Sequence, residues 1–272
     1  MIGFHNGNYI ELNKLSIPIT STTINRSYAA FEFFTLINNK PFYLDRHLKR
    51  LFQTLDLLRI QIKYNEFELT KIIENLILKN PIEDISYKIF IIPEPTPNCD
   101  FFKGDIFIFP FLNATKQKSL YKTGAKLLLK EYNRFLPKAK TTNYIASIYW
   151  ENEIVKQQAI DVLYYNFNFI RETSRSNIFI VKNNIIYTPI KDILLGITRS
   201  IAFDLIKKND LILKEKEINI DELYNADEVF ITSTTPEIMP IINIDSTIIN
   251  DGKVGKITQK LMLDFRELKF NY

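Results

Sequence analysis

The residues in this chain best placed to do chemistry are lysines. The stretch Lys138–Tyr144 reads Lys-Ala-Lys-Thr-Thr-Asn-Tyr. A lysine amine whose pKa is lowered by desolvation or by nearby positive charge can attack a carbonyl and carry a proton. Taken alone, such a string reads as a solvated surface turn. Four other stretches give it company: Leu44–Leu51 with Arg50, Arg171–Phe179 with Glu172, Gly196-Ile197-Thr198-Arg199, and Ser233–Pro240, which opens Ser-Thr-Thr-Pro. Gly196–Thr198 stands where a helical pattern begins, and backbone N–H groups at a helix start, with the dipole behind them, favour an anion.

In this order and spacing the set resembles the fold-type IV pyridoxal-phosphate enzymes, the family of branched-chain and D-amino-acid aminotransferases and 4-amino-4-deoxychorismate lyase. The resemblance runs from about Phe31 to Phe265. It implies that Lys140, the lysine of Lys-x-x-Asn-Tyr, holds the cofactor aldehyde and moves a proton. Lys138 shares its direction in an extended chain but falls outside the motif. Tyr144 is implied as a hydrogen-bond donor to the cofactor ring oxygen, and Glu172 as the carboxylate that keeps the pyridine nitrogen protonated. Arg175 departs from the small residue expected in the turn after Glu172. Ile197, Thr198, Ser233 and Thr234 are implied in the phosphate cup together with Arg50. Residue by residue the plainer readings stay open: Thr198 as an ordinary N-cap, Arg50 as a solvated arginine, Glu172 as a surface glutamate at a strand end.

For the substrate, the resemblance points to Phe31, Phe33, Lys88 and Thr235, with core packing the alternative for Phe31. Pro93-Glu94 stands where D-amino-acid aminotransferases and many lyases carry an arginine–glycine pair, and Phe33 stands where lyases commonly have threonine. These departures leave the substrate class open. The leading expectation is amino transfer between an amino acid and a 2-oxo acid, on pyridoxal 5'-phosphate, in a homodimer. The turn Ser233-Thr234-Thr235-Pro236 favours it over aminodeoxychorismate lyase, which releases 4-aminobenzoate and pyruvate. A cofactor-binding protein without turnover is the remote third reading.

The elements that must position these residues can be traced through the chain. Its 272 residues, 46% hydrophobic and 24% charged, allow two domains around a cleft. The resemblance implies an α/β protein with an α+β small domain (residues 1–112), a linker (113–119) and a larger mixed α/β domain (120–272), like D-amino-acid aminotransferase. Strand signals cover residues 2–20 as strand–turn–strand, then Phe31–Thr35, Tyr87–Ile92, Asp105–Pro110, Ala125–Lys130, Asp161–Asn166, Asn177–Val181, Ile185–Tyr187 and Glu228–Thr232. Asn38-Asn39 and Asn183-Asn184 read as turns and Pro93–Pro97 as a loop. Helical spacing appears from Asp45, a plausible N-cap, through Leu58, and again at Asn65–Leu78, Ile145–Gln157, Thr198–Lys208 and Lys256–Leu268. The lone Cys99 forms no internal disulfide, and no export or membrane-spanning pattern is present, so the expected compartment is the cytoplasm. A net charge of +4, spread along the chain, does not suggest nucleic acid, and two histidines with one cysteine argue against a dedicated metal centre.

Overall fold

Alternation along one strand organises the first of two compact units. In the computed structural model, which describes residues 1–94, 100–113 and 118–272, Ala30–Ile37 buries Ala30, Glu32 and Phe34 on one side and leaves Phe31, Phe33 and Thr35 half-buried on the other. Cys99, the end of the Pro93–Pro97 loop and the middle of the expected linker lie outside the described residues. The unit comprises Met1–Ala114, Ala139–Asn143 and Tyr272. Its strands are β1 (Ile2–His5), β2 (Asn8–Glu11), β3 (Ala30–Ile37), β4 (Lys40–Pro41), β5 (Ile60–Gln61), β6 (Ile85–Pro93) and β7 (Phe102–Leu112). They form a sheet in the order β2-β1-β7-β6-β3-β4, with β5 on β7.

The α-helices among the described residues of this unit are α1 (Thr22–Arg26), α2 (Leu44–Leu57) and α3 (Glu66–Leu78). Asn65 and Glu68 close a capping box at the start of α3, satisfying two otherwise orphaned N–H groups, and Leu69, Ile73 and Leu76 bury its apolar stripe. In α2, Leu44, Leu48, Leu51 and Leu55 are buried as their spacing requires, but so are His47, Arg50 and Thr54. Asp45 is not the N-cap. Tyr43 takes that place with φ 53°, its N–H donating to the Tyr272 hydroxyl, and Asp45 lies in the first turn, where its charge meets the helix dipole.

The second unit, Thr115–Lys138 with Tyr144–Asn271, is a mixed α/β layer. Its strands are β8 (Ala125–Glu131), β9 (Asp161–Asn166), β10 (Phe169–Thr173), β11 (Asn177–Lys182), β12 (Ile185–Thr188), β13 (Ile212–Glu215), β14 (Ile218–Asn219), β15 (Glu228–Ser233), β16 (Glu237–Ile244) and β17 (Thr247–Ile248). The order is β13-β12-β11-β15-β16-β8-β9-β10-β14, with β17 on β16; β8 runs parallel to both β9 and β16. The helices are α4 (Leu120–Thr123), α5 (Ile145–Tyr149), α6 (Glu151–Lys156), α7 (Ile197–Lys208), α8 (Ile220–Tyr224) and α9 (Lys256–Phe270). Asn183 and Asn184 both take positive φ, as a two-residue hairpin between β11 and β12 requires. One sheet face buries Leu127, Leu163, Ile178, Ile231 and Ile241. On the other, Phe179 stacks on Phe230 at 4.7 Å between centroids and meets Phe203 of α7.

Two expectations about elements change, the helix after Tyr144 and the unit to which Ala139–Asn143 belongs. The helix foreseen over Ile145–Gln157 breaks at Trp150, whose ring packs on Tyr132 and Tyr164. The expected linker, 113–119, falls between Leu112, the last residue of β7, and Leu120, which opens α4. Ala139–Asn143 groups with the first unit rather than the second because it adds to the edge of β3: Phe31 N–H donates to Lys140 O at 3.0 Å and Thr142 N–H to Ala29 O at 3.1 Å. No helix among the described residues is long and apolar enough to cross a membrane.

Candidate active site

In the first unit, Lys140 is fixed by its backbone. Its carbonyl accepts from Phe31, and its N–H donates to Thr54 Oγ1 on α2 at 3.1 Å, on a residue with no solvent exposure. The half-buried side chain sets Nζ 4.3 Å from the centre of the Phe31 ring. Lys138 falls in the second unit and is exposed. Of the two lysines, only Lys140 is presented on a pinned segment.

Arg50 is not a solvated arginine. It lies under the sheet and grips the fully buried Glu32 of β3 with two nitrogens, Nε to Oε1 at 2.7 Å and Nη2 to Oε2 at 2.8 Å. His47 Nδ1 lies 2.9 Å from Oε2. Burial would raise the Glu32 pKa, but the charge and hydrogen bonds of Arg50, with His47 in support, bring it down to about 2. His47 is pushed down, first by burial and further by the charges of Arg50 and Lys140, although Glu32 opposes this. Its ring is therefore neutral near pH 7, with Nδ1–H facing the carboxylate. Glu32, His47 and Thr54 were missed from sequence. Glu32 did leave a signal, since alternation puts it on the same side of the strand as Ala30 and Phe34.

In the second unit, Glu172 is buried near the end of β10 rather than exposed. Its Oε1 accepts from Arg134 Nη1 at 2.7 Å and its Oε2 from Leu194 N–H at 2.9 Å. Burial works against the charge of Arg134, but Glu172 outweighs it, with the Tyr144 and Tyr164 hydroxyls adding to the effect, and the guanidinium pKa is raised. Tyr144 thus belongs to the electrostatic surroundings of this pair. The turn after Glu172 is knit by Thr173, whose hydroxyl accepts from Ser176 N–H at 2.8 Å. Arg175 points to solvent, so its size does not crowd the turn.

From Leu194 a chain of hydrogen bonds leads to the start of α7. Leu194 O accepts from Asn177 Nδ2 at 2.7 Å, and Asn177 Oδ1 accepts from Gly196 N–H at 3.1 Å. Gly196 is the N-cap, and a Cβ there would collide with Asn177 Oδ1. Thr198 therefore stands inside the first turn and not at the cap; it and Ile197 are buried. Among the described residues no side chain caps this N-terminus. Thr232, paired with Asn177 across β11 and β15, has a buried Oγ1 without a partner among the described residues. Beside it, Ser233 Oγ accepts from Ser176 Oγ at 2.9 Å, and Thr234 begins the turn into β16. Uncapped N–H groups, an unpaired buried hydroxyl and neighbouring hydroxyls form a donor set suited to an anion. Thr235, in the same turn, is exposed.

The sequence-derived residues thus fall into two groups. Lys140, Arg50, Phe31, Phe33 and Lys88 lie in the first unit; Tyr144, Glu172, Ile197, Thr198, Ser233, Thr234 and Thr235 lie in the second. Arg134 and Asn177, which tie the second group together, carried no local signal of that role.

Residues 29–244 match the family described as amino-transferase class IV. A D-alanine aminotransferase of Listeria monocytogenes is 28% identical over 271 residues, covering 96% of this chain and 94% of that protein. Among solved structures, the branched-chain aminotransferase of Thermoproteus uzoniensis with norvaline has a TM-score of 0.90 at 24% identity, over 100% of this chain and 95% of that one. The branched-chain amino acid aminotransferase of Escherichia coli gives 0.87 at 22% identity, over 98% and 93%. At this identity the two structures establish the shared fold-type IV architecture.

Proposed function

The chain belongs to the amino-transferase class IV family, and on that footing we propose that it transfers an amino group between an amino acid and a 2-oxo acid, using pyridoxal 5'-phosphate. The residues fit that cofactor: an anion-ready helix start at Gly196–Thr198, a buried carboxylate at Glu172 and a pinned lysine at Lys140. When bound, pyridoxal phosphate supplies an aldehyde for a lysine amine and a ring that takes up electrons released at the substrate Cα.

Lys140 Nζ is the group that takes the proton from the substrate Cα and returns it during transfer. Its backbone, held at both N–H and C=O, limits how far the amine can wander. Glu172 holds the ring nitrogen in its protonated form; with about four acceptor positions, its carboxylate can serve that nitrogen while keeping Arg134 and Leu194. Tyr144 donates to the ring oxygen. Ile197, Thr198, Ser233 and Thr234 would hold the phosphate; Arg50, whose guanidinium Glu32 fixes within the first unit, is the arginine that the family resemblance assigns to it. Thr235 faces the substrate carboxylate. The working form is a homodimer in the cytoplasm.

The observation that carries this reading is Lys140, a lysine held at both backbone polar groups within the matched family region. Reduction with borohydride should trap a cofactor link on Lys140. Lys140→Ala should abolish it and lower turnover by on the order of 10³-fold or more, whereas Lys138→Ala should leave both intact. An adduct mapped to Lys138 would overturn the assignment. Amino transfer is tested with a panel of L- and D-amino acids and 2-oxo acids beside aminodeoxychorismate. Pyruvate and 4-aminobenzoate from the last, with no transfer from any donor, would replace the transaminase with the lyase. Cofactor binding without either reaction would leave a non-catalytic binding protein.

A further inference from the structure

The face of the first unit's sheet turned away from α2 is aromatic. Strand pairing sets Phe31 beside Phe90, and Phe33 beside Lys88 and Phe109. The rings meet edge to face: Phe31–Phe90 at 5.9 Å, Phe90–Phe109 at 5.4 Å and Phe33–Phe111 at 6.1 Å between centroids. Phe111 is 42% exposed and the others half-buried, which makes a contiguous apolar patch of the kind that marks a binding surface.

Two ammonium groups stand on this face. Lys140 Nζ lies over Phe31, and Lys88 Nζ lies 4.1 Å from the centre of Phe111. Lys88 has no carboxylate or hydrogen-bond acceptor among the described residues; its one polar interaction is with that ring. Burial pushes its pKa down, the mark of a cation short of water and without a counter-ion. Phe31 and Phe33 are one alternation apart on β3, and Lys88 is Phe33's partner on β6. Lys140 stands beside Phe31 on the segment that extends the edge of β3, and Lys88 stands beside Phe33 on the opposite side, so the two chain positions are separated by roughly 7 Å along the sheet and about 10 Å, two strand spacings, across it.

We propose that this face receives an aromatic ring bearing a carboxylate, the ring against Phe33 and Phe109 and the carboxylate on Lys88, so that the substrate class is an aromatic amino or oxo acid. This deepens the amino-transfer reading and rests on it for the role of Lys140. Aliphatic acids gain less here because they lack a ring edge and face to set against the phenylalanines.

The test is calorimetric titration of the purified full-length chain with benzoate, 3-phenylpropanoate and hexanoate. Benzoate should bind tenfold or more tightly than hexanoate; 3-phenylpropanoate binding more tightly than benzoate would take the carboxylate off the ring and overturn the proposal. Lys88→Met should weaken benzoate tenfold or more, and Lys88→Arg should keep it within threefold of wild type. Hexanoate binding as tightly as benzoate, Lys88→Met staying within twofold of wild type, or Lys88→Arg losing as much as Lys88→Met would each overturn the proposal. None of these readouts depends on turnover, so failure of every amino donor would reject the transaminase reading while leaving the aromatic-acid site at Lys88 to stand or fall on the titration.

Discussion

Each unit contains a buried carboxylate whose pKa is shifted, and the two shifts run in opposite directions. Glu32 in the first unit is lowered to about 2, whereas Asp161 in the second is raised. Burial pushes both upward. At Glu32 it is outweighed by a guanidinium in two-point contact and an imidazole at 2.9 Å. At Asp161 the contacts are neutral: Ser174 Oγ at 2.6 Å, Val162 N–H at 2.8 Å and Thr173 Oγ1 at 2.9 Å, while the nearest positive charge, Arg175, sits on an exposed side chain. A touching charge overcomes desolvation where three neutral donors do not. The first unit is therefore built around paired charges beneath Lys140. The second holds its turn after Glu172 with a lattice of hydroxyls and amides.

The sharpest way to break this contrast is to remove one partner of the charged group. Glu32→Ala leaves Arg50 buried without its carboxylate and should cost about 3–5 kcal/mol of unfolding free energy, measured by denaturant titration. A loss below about 1 kcal/mol would mean that Arg50 does not depend on Glu32.

Acid titration should resolve the two carboxylates by sign. Glu32 has a folded pKa below its unfolded value, so its contribution is complete above pH 4.5 and disappears as pH falls toward about 2, in total about 3 kcal/mol. His47, also lowered, acts in the same direction, with stability falling as pH drops below 6.5. Asp161 has a folded pKa above 3.8, so its effect reverses: stability is lost as pH rises from 3.8 through the folded value. Glu32→Gln should flatten the acid limb of the stability curve between pH 4.5 and 2, and Asp161→Asn should steepen the rise above pH 3.8. Identical changes in the two variants would refute the contrast.

Glu172→Gln tests the second unit's one buried pair of full charges among the described residues. It should cost about 1–3 kcal/mol, because Arg134 is left with a neutral amide, and it should retain cofactor while slowing turnover. Undiminished turnover would reject the role proposed for Glu172. The smallest effect belongs to the lattice: Asp161→Asn at pH 7 should cost about 1 kcal/mol, since an amide oxygen still accepts and the two hydroxyls can rotate to suit it. A loss as large as that of Glu32→Ala would show that the lattice, too, depends on charge.

How far the site could be read in advance varied with the range of the forces involved. The strand around Phe31 and the helix face Leu48–Leu51–Leu55 were legible because periodicity records burial. The fold followed from the order of the stretches around Lys140, Glu172 and Gly196. Arg50 was harder: its apolar neighbours showed which face was buried, but a solvated head group was equally compatible with the pattern. Trp150 broke a helix that periodicity had drawn as continuous, because its ring packs on Tyr132 and Tyr164.

What the sequence determined by itself was the set of local structures: the Asn65 cap with Glu68, the Asn183-Asn184 hairpin, the alternating faces of β3 and the glycine at the start of α7. Each is decided within a few residues by sterics, capping or burial. The tertiary structure alone decided which polar groups meet. Arg50 reaches Glu32 across 18 positions, Leu194 reaches Glu172 across 22, and the Lys140 backbone reaches Thr54 across 86. Propensity and periodicity act over one or two turns of chain, whereas a buried charge takes as its partner whatever group the packing of distant segments brings within hydrogen-bond reach, and no local pattern records which group that will be.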